Sequence, residues 1–199
     1  MVRTVYVQRK VLEIYQRMDT IIYPIQPLTV IPCLTQHCRA LTYQDMAKLN
    51  QCDIQDITVM CKSNSGATHY DTEQNRYLIL YNNAMNQGRV RWTISHEIGH
   101  ICIGHLEMIE EAEIACSEWR EPYNQFEGEA DYFAWNLVAP LPIMREMGIH
   151  TANQIQTVYG LSSQAAALHY DRYLKWCRSH IKTAWENNML REFRCKFQK

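Results

Sequence analysis

The chain has 199 residues, 47% of them hydrophobic and 21% charged, with only 7 Gly and 6 Pro, which excludes a low-complexity or disordered protein and leaves room for one compact domain with a small helical appendage. A formal net charge of −1 gives no global electrostatic reason to bind nucleic acid or an anionic membrane, although nine acidic residues and one basic residue lie between Glu107 and Asp131, and eight basic and three acidic between Asp171 and Lys199. The eight cysteines contain no Cys-x-x-Cys pair, which argues against a zinc ribbon, and they read as reduced thiols.

Met1–Tyr6 does not read as a secretion signal, and no apolar run approaches the ~18 residues of a membrane span, so a cytoplasmic protein is expected. Val7, Val11, Ile14, Tyr15 and Met18 are spaced as one face of an amphipathic helix over residues 3–19, ending near Tyr23-Pro24. Ile25–Cys33 fits a short helix or an extended connector, Arg39–Tyr43 a short strand, and Asp45–Leu49 a helical turn or two. Thr68-His69-Tyr70 and Arg76–Tyr81, around the polar turn 71–75, predict a β-hairpin.

A helix is predicted from about Gln87, with Val90, Ile94, Ile98 and Ile101 as its buried stripe. It carries His96, Glu97 and His100 in the pattern His-Glu-x-x-His. Residues four apart lie on one helix face, so both imidazoles can reach one metal ion, while Glu97 is turned about 100° away, beside the water such an ion would hold. His105 would lie about 140° round the helix from His100 and is expected to cap the helix end or meet solvent. The acidic segment after it has helical spacing at Ile109, Ala112 and Cys116 and little else.

A second helix is predicted from about Gln125 to Val138, terminated by Pro140 and Pro142. A catalytic zinc takes three protein ligands and leaves a fourth position open, and Glu127, Glu129 and Asp131 are the candidates for the third. Glu127 is preferred because Asp131, four residues on, shares its face and can orient a ligand histidine through its other ring nitrogen, whereas Glu129 points roughly 200° away.

Three ordered blocks, Trp92-Thr93-Ile94-Ser95-His96-Glu97-Ile98-Gly99-His100, then Glu127-Gly128-Glu129-Ala130-Asp131-Tyr132-Phe133-Ala134, then Leu137-Val138-Ala139-Pro140, resemble the ImmA/IrrE family of metallopeptidases over roughly residues 66–142. One departure, Val138-Ala139, falls at a packing position. The resemblance implies an α+β fold with a zincin-like core, a small sheet packed on active-site helices, and helix-turn-helix-like helices at the C-terminus. It implies a Zn2+ cofactor held by His96, His100 and Glu127, with Glu97 as general base and Asp131 behind a ligand histidine. The expected organisation is a metallopeptidase domain over 1–150 and a packed helical extension over 151–199.

The implied activity is zinc-dependent endopeptidase cleavage of a helix-turn-helix repressor, relieving repression in a mobile element or stress response. A non-catalytic antirepressor or toxin-antitoxin partner is the alternative reading, and a DNA-binding regulator the weakest. Residues 151–173 predict two helices about a Gly160-Leu161-Ser162 turn. Arg172, Lys175, Arg178 and Lys182 mostly lie after the second helix, which offers early in its length only Gln164 to read bases, favouring packing or repressor docking over DNA contact. Tyr70, His105 and Tyr132 are candidates to steady an oxyanion, each with a structural role as the simpler reading, and His37, His69, His150, His169 and His180 have no ligand-like spacing.

Overall fold

A computed structural model describes residues 1–108, 121–179 and 181–198. Helix α1 (Thr4–Arg17) buries Val7, Val11, Ile14 and Tyr15, the stripe its spacing predicts. Ile25–Cys33 resolves into a short helix α2 (Pro27–Val30) and a 3-10 turn (Ile31–Cys33). Strand β1 (Cys38–Thr42) leads directly into α3 (Tyr43–Asn50), whose first turn is capped by the Thr42 side chain accepting from the Asp45 N–H.

Helix α4 (Ile54–Cys61), for which the sequence reading made no provision, starts where the Asp53 N–H donates to the Asp56 carboxylate at 3.0 Å. Strands β2 (Gly66–Asp71) and β3 (Arg76–Tyr81) form the expected antiparallel hairpin. Strand β1 pairs parallel with β3 on its other side, giving the order β1-β3-β2 and leaving β2 at one edge.

Period-two alternation then gives the sheet two apolar faces. Tyr77 and Ile79 point into the main core with α1 and the helix that follows, while Leu80, with Leu41, Ala67 and Leu78 beside it, packs against Tyr43, Ala47, Ile57 and Cys61 of α3 and α4. Helix α5 (Gln87–Ile103) is capped by Asn86, whose side chain accepts from the Arg89 N–H, and ends at Gly104, whose φ of +81° is cheap only for glycine. Ile94, Ile98 and Ile101 face the core and Val90 is half-buried. The acidic segment singled out in the sequence lies, from residue 109 to 120, outside the described residues.

Helix α6 (Glu121–Val138) starts slightly earlier than predicted, and Pro140 and Pro142 divide the labour differently. Pro140 is the N-cap of α7 (Leu141–Glu146) and Pro142 sits in its first turn, where a missing N–H costs nothing, so Pro142 opens a helix instead of closing one. Helices α8 (Ala152–Tyr159) and α9 (Ser163–Ser179) meet at Gly160, φ +62°, and pack Ile155, Tyr159, Leu161, Ala166 and Tyr173 against Val138 and Ala139 at the end of α6.

The basic tail folds into α10 (Ala184–Lys196), which returns to α1. Trp185 Nε1 donates to the Gln8 carbonyl at 2.8 Å, Lys196 Nζ donates to the last carbonyls of α1 at Tyr15 and Gln16, and Phe197 bridges to Ile21. The whole is an α+β arrangement, mostly helical around a three-stranded sheet. Among the described residues no helix is long and apolar enough to cross a membrane.

Candidate metal centre

Helices α5 and α6 come into close contact at Gly99, where a Cβ would lie 3.2 Å from the Ala130 Cα and 3.1 Å from Phe133 Cδ1. The missing side chain lets the two backbones draw together, and on one side of that contact α5 presents His96 and His100 to Glu127 of α6. His96 Nε2 lies 3.3 Å from Glu127 Oε2, His100 Nε2 lies 3.4 Å from Glu127 Oε1, and the two Nε2 atoms are 3.0 Å apart. Bonds of about 2.0–2.1 Å at tetrahedral angles separate neighbouring ligand atoms by about 3.3 Å. Two imidazoles and a carboxylate are the donor types a zinc-like ion takes, and His96, His100 and Glu127 each offer a ligand atom within 4.8 Å of the others, a group able to hold such an ion.

The electrostatics agree with a site built for positive charge. Burial opposes the His96 imidazolium, but hydrogen bonds to Asp131 and Glu127 and the nearby Glu97 charge outweigh it and raise its pKa to about 9. Hydrogen bonds from His100 and His96 hold the Glu127 carboxyl well below the usual carboxylate range. His96 Nδ1 lies 3.0 Å from Asp131 Oδ1, so the carboxylate one turn beyond Glu127 meets the far side of that ring.

Glu97 points from α5 towards the sheet and is buried, with its Oε2 accepting from Thr68 Oγ1 at 2.7 Å. Thr68 was not foreseen. Its position follows from Gly66, two residues earlier on the same face of β2: a Cβ there would come within 2.5 Å of Thr93 Cγ2 and 2.8 Å of the Leu80 carbonyl, so only glycine lets β2 lie this close to α5. A glycine two residues before a threonine at the start of a predicted strand is the only local signal, and it does not name the helix that approaches.

His105 departs from expectation. It neither caps α5 nor meets solvent: it is 0% exposed, its Nδ1 lies 2.9 Å from His100 Nδ1, and its Nε2 lies 3.1 Å from Glu129 Oε2. The expected 140° offset assumed an unbroken helix, and Gly104 breaks it, folding the next residues back over the His100 ring. Glu129 does face away from Glu127, but into the protein, where Arg3 reaches it through Nε at 2.9 Å and through its terminal nitrogen at 2.7 Å. Burial pushes the His105 pKa down to about 4 against the pull of Glu129; burial likewise opposes the Glu129 charge, yet the Arg3 hydrogen bonds bring that carboxyl to about 2.

The remaining candidates are engaged elsewhere. The Tyr70 hydroxyl donates to the Asn75 side chain, and Tyr132 accepts from Gln8 Nε2 at 2.9 Å. His169 is buried on the inner face of α9, with Nε2 donating to the Ala139 carbonyl at 2.6 Å and its ring stacked on Trp135.

Residues 52–169, more than half of the chain, match the peptidase M78 family, described as the IrrE N-terminal-like domain. The chain belongs to this family. The matched span runs from just before α4 into α9 and carries every residue of the candidate site described above except Arg3. Among curated proteins, nothing matches. Membership of an IrrE-like peptidase family, joined to the His96, His100 and Glu127 cluster, supports a metallopeptidase.

Proposed function

We propose that the protein is a zinc-dependent endopeptidase with a zincin-like core, holding its metal through His96 Nε2, His100 Nε2 and a Glu127 carboxylate oxygen. The observation that carries this reading is the convergence of the donors: the two Nε2 atoms lie 3.0 Å apart, each faces a different Glu127 oxygen at 3.3 and 3.4 Å, and the Glu97 charge acts on His96 from beside them. Zinc supplies Lewis acidity, polarising a carbonyl and making water a nucleophile near neutral pH. Glu97 accepts the proton of the attacking water and returns it to the leaving amine. Thr68 holds one oxygen of that carboxylate, leaving the other for the proton. Asp131 orients His96 from behind.

Strand β2, which carries Thr68 and is an edge strand among the described residues, offers its outer backbone groups to an extended peptide, a mode of recognition in which main-chain pairing sets the direction and alternate side chains give specificity. The substrate we propose, from the family resemblance, is a helix-turn-helix transcriptional repressor in the cytoplasm, whose cleavage relieves repression. Residues 1–150 form the peptidase domain in this reading. Residues 151–199 form a helix-turn-helix-like extension that packs instead of reading DNA, a role supported by the burial of Leu161, Ala166 and Tyr173 and by Arg172, which lies 4.8 Å over the Trp135 ring.

The test pairs elemental analysis of the purified protein with cleavage of a repressor encoded beside its gene, for wild type and Glu97→Gln. One zinc per chain in both and cleavage by the wild type alone are expected. Unchanged cleavage by the zinc-loaded variant would overturn the role of Glu97, and a zinc-free wild type that still cleaves would overturn the metal.

A further inference from the structure

A histidine can ligate a cation only through a nitrogen that carries no proton, so the two ring nitrogens of His96 and His100 must be told apart. For His96 the choice is simple. Its Nδ1 faces Asp131, a carboxylate accepts, and a proton is therefore on Nδ1; the proton on Nε2, which faces Glu127, is the one the metal displaces. For His100 the partner is the ring nitrogen of His105, and two imidazole nitrogens 2.9 Å apart share one proton that either ring could own.

The ambiguity is resolved at the far side of His105. Its Nε2 faces Glu129 Oε2, which accepts only, so the proton of His105 belongs on Nε2 and its Nδ1 is an acceptor. The shared proton then belongs to His100 Nδ1, so Nε2, which faces Glu127, is the His100 nitrogen the metal meets, displacing the proton shared there with Glu127. Glu129 is held as an acceptor from every side: by the Arg3 N–H at 2.9 Å, by Arg3 Nε at 2.9 Å to one oxygen and 3.2 Å to the other, by the terminal Arg3 nitrogen at 2.7 Å, and by Gln125 Nε2 at 3.0 Å. Both His105 and Glu129 are 0% exposed, so water does not compete for these positions. Phe126 stacks on the His105 ring with centroids 4.6 Å apart and holds its plane.

We infer that Arg3, Glu129 and His105 form a positioning chain that sets the tautomer and ring orientation of His100 and so prepares its Nε2 to bind the metal. The inference rests on the metal reading of His96, His100 and Glu127. It makes the N-terminal residue Arg3, which precedes α1 and lies outside the family match, part of the metal centre's support. Neutral histidine left to itself favours the proton on Nε2, the wrong nitrogen here, and the chain opposes that preference by holding a proton on His100 Nδ1.

The chain is tested first in the metal-free full-length protein labelled with 15N-histidine, by long-range 1H–15N correlation of the ring nitrogens. His105 protonated on Nε2 and His100 on Nδ1 is expected; His105 protonated on Nδ1 would overturn the inference. The second measurement is Zn2+ affinity by competition with a chelator. His105→Phe keeps a ring against Phe126 and removes the acceptor, and a folded variant is expected to bind Zn2+ about 10–100-fold more weakly. His105→Gln, which can accept from His100 and donate to Glu129, is expected to recover most of the loss. A folded His105→Phe with wild-type affinity would overturn the inference, and if that variant does not fold, Arg3→Gln decides: unchanged Zn2+ affinity and an unchanged His100 tautomer would overturn it equally. Failure of the wild type to bind Zn2+ would instead remove the metal reading, with the tautomer measurement still deciding the chain.

Discussion

His105 and His169 are the same residue in closely similar burial, 0% and 2% exposed, and burial pushes both pKa values down to about 4. Their hydrogen bonds separate them. Both nitrogens of His105 face groups that continue to a histidine of the candidate metal site on one side and an ion pair on the other. His169 donates to one carbonyl, leaves Nδ1 buried without a partner among the described residues, and lies flat on Trp135 at 4.3 Å. Burial and a shifted pKa are thus common to a support of the candidate metal site and to a packing residue, and what each nitrogen faces is the discriminating observation.

The sharpest way to test this division is to disturb each region and ask which property follows. On the metal side, Glu97→Gln is expected to lower peptidase turnover by about 10²–10⁴-fold with zinc content and melting temperature unchanged. A comparable loss of turnover in His169→Phe at neutral pH would break the comparison. Phe133→Ala empties a fully buried position packed against Gly99 in the main core and is expected to cost about 3–5 kcal/mol of stability by denaturant unfolding, whatever the metal content.

His169 itself yields a pH signature. Its folded pKa of about 4 lies below the ordinary 6.5, so the unfolded chain takes up a proton that the folded protein refuses. Its contribution is fully present above pH 6.5 and is lost as pH falls towards 4, by on the order of 3 kcal/mol. His169→Phe should flatten the stability profile in that window while leaving turnover at neutral pH intact, and an unaltered acid limb would show that other groups dominate it. The smallest effect expected is that of Gly99→Ala, about 1–3 kcal/mol from crowding Ala130 and Phe133. Because Gly99 sits where α5 and α6 meet, its variant should lower both stability and Zn2+ affinity; a loss of stability alone would mean that the metal side tolerates a shift of the helices.

What could be read along the chain was local. The buried stripe of α1, the β2–β3 hairpin and the start of α5 depend on residues a few positions apart, and so do the one-face pairs His96 with His100 and Glu127 with Asp131. Spacing on a continuous helix is fixed by backbone geometry, so it survives folding unchanged. The same rule failed at His105, one residue beyond a glycine in the left-handed region, because the periodicity stops where the helix does. It was silent on Thr68 under Glu97, on the parallel pairing of β1 with β3, and on α10 against α1.

Those features join residues with no shared periodicity: Thr68 and Glu97 are 29 positions apart, Arg3 and Glu129 are 126, and Lys196 and Tyr15 are 181. The sequence by itself determined the donor types and which of them share a helix face. Only the tertiary structure decided what stands behind each donor, because a buried polar atom must find its partner wherever packing brings one, and packing ignores distance along the chain.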